Sequence, residues 1–346
     1  MIIGVCGYGY SGSGAVFSLL SEFSKVHVYA PNRNDFEFNI SYVPDGLEDL
    51  EYNLCLNPCK GLRCDIAIYR FLNYVKAYRK SFNRLTNNKF DFYTEEFLNA
   101  IISTKWYAYR SFEFERNPRL YFSWKLRNTL SFIFRRFRIN LRTFPKRERY
   151  LSIYPLDFVE ICKNYVSKLV FGSKDHNDVI ILNQPFSVNN PENSMKFFPN
   201  SKCIIVDRDP RDLFVMAKHI YRTKGAFIPT KDVRSFIVFY KKIRDDRLFK
   251  DSPNVLRVRF ENLIYSYNKT VSEIINFLGL DIGDHILKMK AFNPGVSIHN
   301  TNVFPTFPTE KSNIELIESE LKEFLYPFPN ESGKIKKSDL NRFTNL

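Results

Sequence analysis

Residues 2–20 read "IIGVCGYGYSGSGAVFSLL": an apolar, β-branched run, then four glycines and two serines, then an apolar helical stretch. No other segment constrains the fold as strongly. A strand that passes into a helix through glycines bares its main chain at the point where the unbonded N–H groups and the positive end of the helix dipole converge. That combination suits a phosphate or a sulfate. Junctions of this kind belong to folds in which parallel strands alternate with helices and ligands collect at the carboxyl ends of the strands.

The rest of the chain repeats the alternation. Further strands are predicted at Lys25–Ala30, Val179–Asn183, Cys203–Asp207 and Val255–Arg259, each short and rich in Val and Ile. Helical periodicity is predicted over Gly14–Phe23, Asp212–Tyr221, Val233–Phe249 and Tyr267–Leu278, the last stopped by Gly279. The expected fold is therefore α/β: a P-loop-like parallel sheet flanked by helices in a single domain over 1–328, followed by a polar tail at 329–346. Between the second and third strands a long insertion, about 45–175, reads as helical. Its middle, "RNPRLYFSWKLRNTLSFIFRRFRINLRTFPKRERY", is basic and aromatic at once.

Lys and Arg number 51 against 37 Asp and Glu, a formal charge of +14, which favours anionic partners and says nothing about fold. The basic segment fits a packed helical pair with a solvated face, a wall for an acidic glycan, or a contact with an anionic membrane surface. Nucleic acid is not the expected partner, because no nucleic-acid-binding module accompanies it. No apolar run is long enough to span a bilayer and the first residues already belong to a strand, so a cytoplasmic protein is expected, possible contact with the inner membrane surface included. Cys55, Cys59 and Cys64 are spaced C-x3-C-x4-C, which is not a zinc-knuckle spacing, and they are expected to be reduced structural thiols.

Gly7, Gly9 and Gly12 satisfy G-x-G-x-x-G, yet the second strand ends in Ala30, Pro31, Asn32 and Arg33 and offers no acid for a ribose. Gly7 and Gly12 have Walker spacing, but Ser13 and Gly14 stand where Lys and Ser or Thr would. A third possibility begins at "SKCIIVDRDPRDLFVMAKHIY". Here a strand ends at Asp207, Pro210 suits a first helical position, and Arg208 and Arg211 flank a helix start as a second anion site.

"GYSGSGAV", "VDRDPRDLFVM" and "VLRVRFENLIYSYNKTVSEIINFLGL", in this order and spacing, resemble the sulfotransferases that use 3′-phosphoadenosine 5′-phosphosulfate (PAPS), in particular the bacterial carbohydrate-type branch. The resemblance implies that Tyr10, Ser11, Gly12, Ser13, Gly14 and Ala15 form the 5′-phosphosulfate loop, that Arg208 grips the 3′-phosphate, and that Phe260 meets the adenine. It implies sulfuryl transfer to a saccharide or glycolipid hydroxyl, adenosine 3′,5′-bisphosphate as product, and no metal. Ser13 and Glu37 are then the catalytic candidates: the side chains of Ser11 and Ser13 are the best placed at the leaving-group oxygen, and Glu37, in "NDFEFNI", is the general base. His176 and His219 are weaker candidates for the base, and His27 reads as a core residue. Two positions depart from the family: Tyr10 replaces a basic residue of the loop, and Met216 replaces the serine that joins the arginine. A nucleotide-binding relative without catalysis, or a basic membrane- or nucleic-acid-binding protein, is the alternative.

Overall fold

Strands covered on both faces read as unbroken apolar runs, and the three central strands of the five-stranded parallel sheet in the computed structural model have that character, while its two edge strands contain polar residues. The structure describes residues 1–29, 36–108, 117–135, 147–172, 179–220, 227–245 and 252–329. The strands are β1 (Ile2–Gly7), β2 (Val26–Val28), β5 (Val179–Asn183), β6 (Ser201–Asp207) and β7 (Val255–Arg259), in the order β2-β5-β1-β6-β7. All neighbours are parallel, with Ile2 beside both Ile180 and Ser201, and Cys203 beside Val255.

Alternate side chains divide the core in two, as the two-residue period of a strand requires. Ile2, Cys6, Ile180, Leu182, Cys203 and Ile205 face the inserted helices α2 (Leu62–Leu85), α3 (Phe90–Ile101) and, beyond α4 (Pro118–Arg135), α5 (Phe158–Val170). Ile3, Val5, Ile181, Ile204 and Val206 face the opposite layer, which contains α1 (Ser13–Leu20) and a helix at Tyr267–Leu278. The latter ends at Gly279, which takes the left-handed conformation (φ 71°) that favours glycine at that position.

The chain winds outward from β1 to β2, returns to β5, and then crosses to β6 on the other side of β1. The carboxyl end of β1 therefore lies at the point where the winding reverses, the crevice where such sheets bind ligands.

Four expectations are corrected. The insertion is not wholly helical: β3 (Thr104–Ala108) pairs antiparallel with β4 (Arg147–Leu151). β3 is largely exposed, so it lacks the apolar alternation of a half-buried strand. Its partner β4 is held from α2 by buried Asp65, which accepts from Tyr150 N and from Arg149 Nη1, each at 3.1 Å. The helix expected over Asp212–Tyr221 is instead α6 (Pro210–Val215) followed by a wider π turn at Met216–Ile220. The helix expected to reach Phe249 is α7 (Val233–Lys242). His27 lies exposed on edge strand β2 rather than in the core. Residues Ala30–Arg33, His176 and the tail from 330 onward lie outside the described residues.

Candidate active site

The loop after β1 is built on backbone that bulky residues avoid. Gly9 and Gly12 have φ of 82° and 91°, with Tyr10 between them at 52°. A Cβ on Gly9 would lie 2.5 Å from the Phe227 ring, and one on Gly12 would lie 2.4 Å from the Phe260 ring. Both positions therefore need glycine for conformation and for space. The Tyr10 ring stacks on Phe227 at 5.4 Å between centroids.

Ser11 is buried and turned inward, its Oγ accepting from Tyr8 N at 3.1 Å, so it shapes the loop rather than presenting a hydroxyl to a ligand. Ser13 and Gly14 open α1, where N–H groups have no acceptor within the helix. Gly12 offers no side-chain cap and the first turn contains no acid, so the positive helix end is not neutralised locally.

Gln184, just past β5, was not a candidate in the sequence. Its Oε1 accepts from Gly7 N at 3.1 Å and its Nε2 donates to Ser13 Oγ at 3.4 Å. An isolated glutamine has no motif to announce it, although the left-handed backbone here (φ 50°) marks a tightly defined position.

The second half of the site follows from register. Gly7 pairs with Val206, so the residues after β6 rise beside the glycine loop. Arg208 is only 3% exposed. Its Nη1 donates to Tyr10 O at 3.2 Å, its Nη2 donates to Asn300 O, and its guanidinium carbon lies 5.2 Å from the centre of the Phe260 ring. Its Nε is buried with no hydrogen-bond partner, and such a donor carries a large desolvation cost until something accepts from it.

Arg211 does not share this site. It donates to Asp209 and Glu318 and lies over Phe304, 4.4 Å from the ring centre, so the second anion site reduces to Arg208. Asp207 is held by Arg244 through Nε and Nη2. Lys218 and His219 are both engaged by Glu310 at 2.8 Å, which makes His219 a weak base candidate.

The two halves wall one cavity of about 500 Å³. Tyr10, the helix start from Gly12 to Ala15, Arg208 and Phe260 line it, and Ser11 stands behind. Met216 also lines it. Its roof comes from the far end of the chain, through Ala291, Phe292, Ser297 and Asn300.

Two buried carboxylates suspend that roof. Glu22 accepts from the backbone N of Met289, Ala291 and Phe292, and Asp212 from that of Asn302, Val303 and Phe304. Burial raises the Asp212 carboxyl to about 6, while the Arg208 charge pulls the other way.

A Cβ at Gly14 would meet no atom within 4 Å, because that position faces the open cavity. Gly14→Ala should therefore stabilise the folded protein by up to about 0.5–1 kcal/mol through backbone entropy. It should also weaken a phosphate ligand by about tenfold or more, since close approach to the backbone is lost. Thermal melts with and without ligand measure both effects.

The sulfotransferase family profile matches residues 68–284, well over half of the chain, including β6, Arg208 and β7. This chain belongs to the sulfotransferase family. It is similar in structure to the sulfotransferase domain from the curacin biosynthetic pathway (12% identity, 100% of this chain and 96% of that one, TM-score 0.36). A sulfotransferase from Mycobacterium tuberculosis gives 14% identity, 84% and 70% coverage and a TM-score of 0.36. The sulfotransferase domain of the Synechococcus olefin synthase gives 13%, 99%, 92% and 0.34. A search of curated proteins finds no match.

In this sulfotransferase Glu37 lies just beyond β2 and is exposed, with its carboxylate accepting from Asn39 Nδ2 at 3.4 Å. The next residue ties the segment to the carboxyl edge of the sheet, with Phe38 N donating to Asn183 O at 2.8 Å. Glu37 is thus at the carboxyl edge of the sheet but is not part of the cavity wall.

Glu261, in "RFENL", ties the end of β7 to the residues after β6. Its Oε1 accepts from Asp209 N at 2.7 Å, its Oε2 has no hydrogen-bond partner, and burial raises its carboxyl from 4.5 to about 7. A folded-state value above the unfolded one means that the folded protein holds the proton more tightly. The associated stability is complete below pH 4.5 and is lost as pH rises through 7. Wild type should lose about 3 kcal/mol relative to Glu261→Gln between pH 4 and pH 8, read by denaturant unfolding at each pH.

Proposed function

We propose that this sulfotransferase moves a sulfuryl group from PAPS to a hydroxyl of a saccharide or glycolipid, releasing adenosine 3′,5′-bisphosphate. One observation carries this: a buried guanidinium whose Nε lacks an acceptor shares a cavity with an uncapped helix start. Two sites for negative charge in one cavity suit a donor that is anionic at both ends. On this reading Arg208 holds the 3′-phosphate, and the backbone from Tyr10 to Ala15 holds the phosphosulfate. Phe260, which already lines the cavity, faces the adenine.

In the reaction the acceptor oxygen forms a bond to sulfur as the bond from sulfur to the bridging phosphate oxygen breaks. The electron pair leaves on that oxygen, where the Ser13 hydroxyl and the N–H groups of Ser13 and Gly14 stabilise it. The acceptor proton passes to the Glu37 carboxylate. Gln184 orients Ser13 from behind. Ser11 contributes through its backbone, because its hydroxyl already bonds Tyr8. Among the described residues no cluster of His, Cys, Asp and Glu has the arrangement of a metal site.

At a hundredfold excess over its Kd, adenosine 3′,5′-bisphosphate should stabilise the protein by about 2.7 kcal/mol, with no comparable effect of ATP or NADPH. Equal shifts by all three would dismiss the reading. Transfer of radiolabelled sulfate from PAPS to a panel of glycans and glycolipids tests the reaction itself. Met216 in the cavity wall favours a second possibility, a nucleotide-binding relative without catalysis; a thermal shift with no labelled product would select it.

A further inference from the structure

We propose that α4 lies on an anionic lipid surface, with its apolar stripe among the acyl chains and its cations at the headgroups. Phe122, Leu126, Leu130 and Ile133 follow one another at spacings of four, four and three, which places them on one face of a helix. They are 68%, 52%, 38% and 49% exposed, and none belongs to a core cluster. Phe132 is exposed as well. An apolar stripe left uncovered on an 18-residue helix marks a contact surface rather than a core element.

Charge identifies the partner. α4 carries Arg119, Lys125, Arg127 and Arg135 and no acid. Residues 117–146 contain eight lysines and arginines and no acid, so this stretch contributes eight positive charges to the chain's net fourteen. Such a helix lies in the headgroup plane while its long basic side chains reach the lipid phosphates. A second copy of the chain fits poorly, because stripe against stripe would bring four cations onto four. Nucleic acid would use the cations but leave Leu126, Leu130 and Ile133 against water, since aliphatic side chains offer bases no stacking surface. The helix does not cross the membrane: no helix among the described residues is long and apolar enough to do so. This surface is independent of the donor cavity and stands or falls apart from the proposed reaction.

Co-sedimentation of the full chain with vesicles of phosphatidylcholine containing 30% phosphatidylglycerol, against phosphatidylcholine alone, tests the proposal. Binding should be confined to the anionic vesicles and should weaken with salt. Each basic side chain near such a surface strengthens partitioning about fivefold, so Lys125→Glu with Arg127→Glu should weaken it by about 25-fold or more. Phe122→Asp with Leu126→Asp should also release the protein, although every cation remains. A cooperative thermal melt and a far-ultraviolet circular dichroism spectrum like those of wild type establish that these variants are folded.

Equal binding to both vesicle types, no binding to either, or anionic-vesicle binding that survives the two aspartates would each overturn the proposal. So would a wild-type dimer in analytical ultracentrifugation that the aspartates dissociate, or tighter binding to a single-stranded oligonucleotide that they leave intact.

Discussion

Arg208→Ala should cut the stabilisation produced by adenosine 3′,5′-bisphosphate, at a hundredfold excess over the wild-type Kd, from about 2.7 to about 0.4–1.4 kcal/mol. Charge-assisted bonds to a phosphate contribute about 1.5–3 kcal/mol, so affinity should fall by about 10- to 100-fold. The protein without ligand should also melt earlier, because truncation leaves Tyr10 O and Asn300 O without their donor. The two effects separate when the shift is measured against each variant's own ligand-free melting temperature. Arg208→Lys keeps the charge but not the planar fork that now spans two carbonyls, and it should recover only part of the affinity. A shift in Arg208→Ala as large as in wild type would clear the residue of phosphate binding.

Glu37→Gln gives the second large effect, on turnover rather than on binding. A positioned general base contributes about 10²- to 10⁴-fold, and the amide cannot take the proton. Labelled product should fall by that factor while the nucleotide-induced shift stays at its wild-type size, because Glu37 does not line the donor cavity. Turnover within a few-fold of wild type would eliminate Glu37 as the base and turn attention to another group on the same edge of the sheet.

The three central strands were legible because burial on both faces leaves a run that polar residues rarely interrupt, as in "CIIVD" and "VIILN", and the two edge strands by their valines. The glycine loop was legible because Gly9 and Gly12 adopt backbone that few other residues accept. Its closeness to Arg208 was legible only as order and spacing, and the pairing of Gly7 with Val206 supplies the rest.

What escaped the sequence depends on partners far away in the chain. Asp212 reads as a helix-start acid, but it acts on amides 90 to 92 residues further on, and Glu22 on amides up to 270 residues away. β3 and β4 escaped because a buried carboxylate on α2, rather than an apolar pattern, holds β4 in place. Arg211 looked equivalent to Arg208, three residues before it, and only tertiary contacts separate them: Asp209 and Glu318 occupy the one, and backbone carbonyls the other.

The cavity floor is drawn from residues 10–18 and its ceiling from residues 291–300, so the chamber is assembled from segments far apart in the chain. During synthesis the glycine loop emerges well before the residues that enclose it. A nascent chain halted before Met289 would own the loop and the arginine yet have no roof over them, so the chamber closes only once distant segments have met.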